Sequence, residues 1–198
     1  MDQSTEKRAA KRALLAFGGN LAHSGRLPQE ILKAAVDLLA VRLGRPVALS
    51  KLYRTPAFPT GSGPDFINAA GVVDWHGSAA SLLALLHEVE AALGRTRRTR
   101  WEARILDIDL IALADEVWPD PVTQKNWASL SIDQAAHRSP AALILPHPRM
   151  AERSFVLVPL SEVAGDWRHP LTGLSVAEML ALRPAAERAT VVALDLAG

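Results

Sequence analysis

An α+β fold in the order β-α-β-β-α-β is predicted by three observations. Short apolar runs bounded by turn residues fall at Ala13–Phe17, Val47–Tyr53, Phe66–Trp75 and Ile105–Leu113. Two stretches with apolar residues at helical spacing lie between the first and second runs and between the third and fourth. A glycine closes each of these stretches, at Gly44 and Gly94. That order is the ferredoxin-like plan, an antiparallel sheet with its helices packed on one face, here followed by C-terminal additions.

Ala13–Phe17 is a short buried strand stopped by Gly18-Gly19-Asn20. Pro28 sits where a first helical turn tolerates proline, and Leu32, Ala35, Val36, Leu39 and Leu43 make the buried stripe that follows. Val47–Tyr53 is the second strand, ended by Arg54-Thr55-Pro56, and residues 57–65 (AFPTGSGPD) form a loop by composition. Phe66–Trp75 is the third strand, with Phe66, Asn68, Ala70 and Val72 on one face. Ser78 caps a helix through Leu93, whose stripe is Leu82, Leu85, Leu86, Val89 and Leu93. The fourth strand follows the loop after Gly94. Residues 117–142 break periodicity and look like an insertion, with a short helix near Ser131; a last helix spans Ser175–Leu182.

The chain of 198 residues suits one domain with a substantial core. A disordered tail is expected over residues 1–11 and a single domain over 12–198. A net charge of +1 argues against a general polyanion binder, and the absence of cysteine excludes disulfides, thiolate metal sites and a cysteine nucleophile. The charged start is followed by only ALLAF before Gly18-Gly19, too short for a signal-peptide core. No apolar stretch is long enough to span a membrane. A cytoplasmic monomer is expected, acting on small molecules without nucleic acid or membrane.

Residues 95–113, RTRRTRWEARILDIDLIAL, carry the chemistry. Five arginines and one acid lie within Arg95–Arg104, and the run that follows is apolar except for Asp107 and Asp109. On a strand both carboxylates project to one face, roughly 6.6 Å apart. Such a pair repels unless a cation sits between, so removing either should leave metal-free stability unchanged or higher. A hard divalent ion shared with substrate phosphates is the natural partner, since carboxylates plus phosphates are how magnesium is usually held. The bland alternatives are a polar edge strand and a solvated or nucleic-acid-binding arginine loop. Their juxtaposition favours a phosphate and metal site. Self-repulsion among the arginines is expected to keep the loop open until phosphates and metals arrive.

With YRTPAF, PDFINAA, the arginine loop, the DxD strand and LPHPRMAERSFVLVPL in one order, the chain resembles the 6-hydroxymethyl-7,8-dihydropterin pyrophosphokinases over about Ala13 to Pro170. The resemblance implies transfer of pyrophosphate from ATP to the pterin hydroxymethyl group, releasing AMP, in folate biosynthesis. It implies that Asp107 and Asp109 hold two Mg2+ ions, and that Arg95 and Arg104 are catalytic-loop arginines. Arg97, His147, Arg153 and Glu90 fall on nucleotide-site positions. Phe66 and Phe155 match aromatics that sandwich the pterin, and Asn68 matches the residue bonding its polar edge. Thr55, Pro56 and Phe58 frame that pocket, and Trp101 matches a tryptophan that closes over it. The segment 117–142 is longer than the family's usual connection, and the sequence assigns it no role.

Two other readings stay open on the residues alone. A different magnesium-dependent nucleotidyl- or phosphotransferase on a ferredoxin-like fold would keep the DxD but not Phe66, Asn68 and Phe155 together. An RNA-binding module of that fold would need a strand motif with exposed aromatics, which one tyrosine and four phenylalanines do not supply.

Overall fold

The computed structural model describes residues 9–57, 61, 63–95 and 104–195. Strand β1 (Lys11–Gly19) starts inside the segment expected to be tail, with Lys11 opposite Trp75 and its ammonium 2.6 Å from Glu116. Helix α1 (Pro28–Leu43) has its proline in the first turn and the Glu30 carboxylate accepting the Leu27 N–H at 2.6 Å; Gly44 closes it in the left-handed conformation. The predicted second strand is two pieces, β2 (Ala48–Leu49) and β3 (Tyr53–Thr55). Ser50 is the cause: its hydroxyl, not a backbone carbonyl, accepts the Ala70 N–H at 2.9 Å and breaks the ladder. Then come β4 (Phe66–Trp75), α2 (Ala79–Ala92, capped by Ser78) and β5 (Asp107–Leu113).

These strands make an antiparallel sheet in the order β5-β1-β4-β3, the ferredoxin-like order, with β2 also on β4. One face belongs to α1 and α2. There Leu15, Phe17, Ile67, Ala69, Val73, Ile108 and Leu110 meet Ile31, Leu32, Leu39, Leu82, Leu86 and Val89. Each of these side chains larger than alanine contributes about 1.5–3 kcal/mol on full burial.

Past β5 the segment 117–142 forms α3 (Pro121–Ala128, capped by Asp120) and α4 (Ile132–Ala136, capped by Ser131). After a 3-10 turn at Met150–Glu152 comes α5 (Ser154–Ala164), then α6 (Val176–Ala181), α7 (Ala185–Ala189) and a two-residue strand β6 (Val192–Ala193) that extends the sheet beside β3. Helix α5 is the main departure from the expected plan, for it covers the second face of the sheet. Val156, Leu157 and Leu160 pack on Leu14, Ala70, Ile111 and Ala112. Pro159 inside its apolar run hid the helix from the sequence reading, yet a proline there forfeits a single backbone bond. No helix among the described residues is long and apolar enough to cross a membrane.

Candidate active site

The α5 face of the sheet changes character toward one end. Along β1, Leu14 gives way to Ala16 and then Gly18, so the apolar floor under α5 becomes a shallow one. Asp109 on β5 stands opposite Ala16, and Asp107 opposite Gly18. Gly18 in turn stands opposite Asn68 of β4, which pairs with Tyr53 of β3. Asp107 and Asn68 are therefore two strand spacings apart, roughly 10 Å, with only a glycine between them. A Cβ on Gly18 would sit 3.2 Å from Asn68 Oδ1 and fill this floor. The carboxylates share one face, as their alternation predicted, and the register of the ladder adds Asn68 to it.

The two carboxylates do not confront each other unscreened. Arg95 pairs with Asp107 Oδ1 at 2.7 Å and also with the Glu90 carboxylate, while Arg104 pairs with Asp107 Oδ2. Glu90 is 2% exposed and accepts the Ile108 N–H at 2.6 Å. The expected place for Glu90, on the wall of a nucleotide site, becomes an inward one beneath Arg95. Burial pushes its carboxyl pKa up, against the opposing pull of the Ile108 N–H and Arg95. Asp109 faces Arg153, whose own charge is disfavoured by burial first, then by Arg149 and Arg104. The expectation of stability unchanged or raised on losing Asp107 is therefore corrected: it neutralises two guanidinium groups in the ligand-free protein.

His147 hangs beside the outer edge of β5, its N–H donating to the Ile111 carbonyl at 2.7 Å. Its Nδ1 accepts the Arg149 N–H at 3.1 Å, which fixes the ring's neutral tautomer with the proton on Nε2. Close packing, with Arg153 and Arg149 nearby, pushes its pKa down to about 3. An unfolded histidine takes its proton near pH 6.5. Stability from this group is thus complete above that value and is lost as pH falls from about 6.5 toward 3. The imidazole resonances should be flat from about pH 5 to 8 in an NMR titration. A midpoint near the ordinary histidine value would contradict this packing.

On the opposite wall, the Asn68 amide is 5% exposed and donates one N–H to Thr55 Oγ1 at 2.8 Å. Among the described residues nothing else bonds its second N–H or its carbonyl oxygen, one donor beside one acceptor. Phe66 is half-buried at the start of β4, facing Thr55 across the ladder. Pro56 follows that strand. Phe155, 40% exposed on the first turn of α5, lies under the Arg153 guanidinium at 5.7 Å. Phe58, Arg97 and Trp101 lie outside the described residues, as does the arginine loop between its two ends.

Two residues of this site escaped the sequence reading. Asn20 was taken only as part of a strand stop. It is 5% exposed, and its Oδ1 accepts the Arg104 N–H at 2.8 Å while its own N–H donates to the Arg104 carbonyl at 2.8 Å. Its Nδ2 donates to the Pro64 carbonyl at 3.1 Å, so one amide joins the end of the arginine loop to the loop before β4. Gly19 makes this possible, because a Cβ there would lie 2.5 Å from the Ile105 carbonyl oxygen. Arg149 is the other. It pairs with Glu152 at 2.7 Å, and its field disfavours added charge at both His147 and Arg153. Its place two residues after His147 was the available signal.

Residues 14–165 match the sequence model of a family described as 7,8-dihydro-6-hydroxymethylpterin-pyrophosphokinase. The chain belongs to this family. A 2-amino-4-hydroxy-6-hydroxymethyldihydropteridine pyrophosphokinase of Methylorubrum extorquens is 36% identical over 78% of this chain and 84% of its own length. The Pseudomonas aeruginosa protein of the same name is 32% identical over 88% and 93%. The crystal structure of wild-type Plasmodium falciparum HPPK-DHPS aligns over 89% of this chain with a TM-score of 0.58 at 14% identity, a likeness of fold. This chain spans about half of that longer polypeptide, 45% of it. The family's activity places this chain among the ATP-dependent pyrophosphokinases of folate biosynthesis.

Proposed function

We propose that this chain transfers pyrophosphate from ATP to the pterin hydroxymethyl group on the Asp107–Asp109 face of β5. The observation that carries this placement is the pair of same-face carboxylates ringed by Arg95, Arg104, Arg153 and His147, with Asn68 across a side-chain-free floor. A pure carboxylate donor set suits magnesium, and no group of three or more histidine, aspartate or glutamate side chains suited to a metal occurs among the described residues. Two Mg2+ ions held by Asp107 and Asp109, and completed by phosphate oxygens, would supply charge neutralisation of the triphosphate.

The chain's own groups do the rest. Arg95 and Arg104 exchange Asp107 for phosphate oxygens when nucleotide binds, since each guanidinium fork fits either partner. Arg97, from the same loop, adds a third. His147 donates from Nε2, and Arg153 adds its charge where α5 begins, the end of a helix that favours anions. Glu90 acts through Arg95, holding it at the mouth of the loop. The pterin ring lies between Phe66 and Phe155, with its polar edge on Asn68 and its sides framed by Thr55, Pro56, Phe58 and Trp101. The hydroxymethyl oxygen then attacks the β-phosphorus. A new O–P bond forms, the bond from the α–β bridging oxygen to the β-phosphorus breaks, AMP leaves with that oxygen, and the hydroxyl proton is released to solvent. Positioning and charge neutralisation supply most of the rate, so no strong general base is required. The enzyme works as a cytoplasmic monomer on these small molecules, without nucleic acid.

The products test the reaction. Equal amounts of AMP and a diphosphorylated pterin are expected by chromatography, and ADP with a monophosphorylated pterin would refute attack at the β-phosphorus. Asn68→Ala tests the pterin wall. Removing the amide leaves ligand groups unpaired and should weaken pterin binding by about 1–3 kcal/mol, with ATP affinity little changed. Equal losses for both ligands in calorimetric titration would mark Asn68 as structural only.

A further inference from the structure

Helix α3 of the 117–142 segment is mostly exposed, and its one buried residue is polar: Gln124, 2% accessible. A helix that contributes no apolar residue to the core but sinks an amide into it is placed for a hydrogen bond, because a buried amide without a partner is costly. Gln124 Nε2 donates to the Pro146 carbonyl at 3.1 Å. That carbonyl belongs to the same peptide unit as the His147 N–H, which donates to Ile111 of β5 at 2.7 Å. One peptide is thus held by its oxygen from the insertion and by its nitrogen from the sheet. The residue before it is gripped as well, since Trp118 and Leu145 exchange backbone bonds of 2.8 and 3.1 Å.

We infer that Gln124 is a positioning residue, through which the 117–142 segment fixes the peptide plane that carries His147 and so sets the affinity for the nucleotide. This rests on the reading that His147 contacts the nucleotide. The experiment measures the dissociation constant of α,β-methylene-ATP with Mg2+, and that of the pterin, by calorimetry on the full chain. Gln124→Leu keeps the volume and removes the donor. It should weaken the nucleotide about tenfold, as loss of a buried hydrogen bond does, and leave the pterin within twofold, about the scatter of near-neutral changes. Because Gln124 acts through His147, the double variant Gln124→Leu/His147→Ala should bind nucleotide no more weakly than His147→Ala alone. A purely structural role for Gln124 would lower both affinities or neither, and either result overturns the inference. Should His147→Ala itself leave nucleotide affinity unchanged, the nucleotide reading fails. A loss in His147→Ala without one in Gln124→Leu sinks only the brace. If Gln124→Leu does not fold, Asp120→Ala decides, because it removes the exposed N-cap that accepts the Val122 and Thr123 N–H groups at 2.9 Å. Weaker nucleotide binding in that variant supports the brace, and unchanged binding overturns it.

Discussion

Asp109→Ala and Asp107→Ala should each lower turnover by about a thousandfold, since a metal's share of charge stabilisation is several kcal/mol and each 1.36 kcal/mol is tenfold. The two variants should part company in stability. Asp107 neutralises Arg95 and Arg104, whose side chains are 19% and 37% exposed. Partial solvent screening discounts the pair to about 1 kcal/mol. Its loss should lower the metal-free melting temperature by about 2–4 °C. Among the described residues Asp109 lies near Arg153 without an ion pair of that kind, so its variant should melt closer to the parent. Steady-state kinetics at saturating magnesium and thermal melts in EDTA measure the two effects. Near-normal turnover in both variants would remove the carboxylates from the chemistry, and equal melting losses would refute the special pairing of Asp107.

Arg104→Ala should cost about 10³-fold in kcat, the low end of what a guanidinium placed on a transferring phosphoryl group contributes. Lysine should restore only part of it, because a point charge does not match two phosphate oxygens at once. Arg95→Ala should slow the reaction comparably and destabilise the protein as well. It strands the Glu90 carboxylate, 2% exposed, with the Ile108 N–H as its remaining described partner. Arg95→Ala combined with Glu90→Gln should therefore recover stability without recovering rate. Melting curves beside single-turnover rates check this. Full rate recovery in the double variant would mean that Arg95 serves Glu90 alone.

Local patterns made most of the scaffold legible. The alternation in Phe66–Trp75, the stripe ending at Gly44 and the Ser78 cap each encode an element through nearest neighbours alone, and the structure has them at those places. Asp107 and Asp109 were readable because carboxylates break the rule of an otherwise buried strand. What failed depended on distant partners. Ser50 splits the second strand by bonding Ala70, twenty residues away. Helix α5 gains its place from the uncovered face of β1 and β4, and Pro159 obscured its periodicity. Asn20 looks like any turn asparagine until Arg104 and Pro64 are brought to it. Helix α3 is the exception, missed although its signal was local, the Asp120 cap followed by a first-turn proline. The pairing of Asp107 with arginines at both ends of the loop could not be read, since a run of five arginines does not say which of them turn inward.

Whether β5 is the metal-bearing strand can be decided without turnover, by counting bound Mn2+ by electron paramagnetic resonance in the presence of α,β-methylene-ATP. Two ions per wild-type chain are expected, and fewer in both Asp107→Ala and Asp109→Ala at the same nucleotide occupancy. Two ions retained in either variant would contradict the assignment.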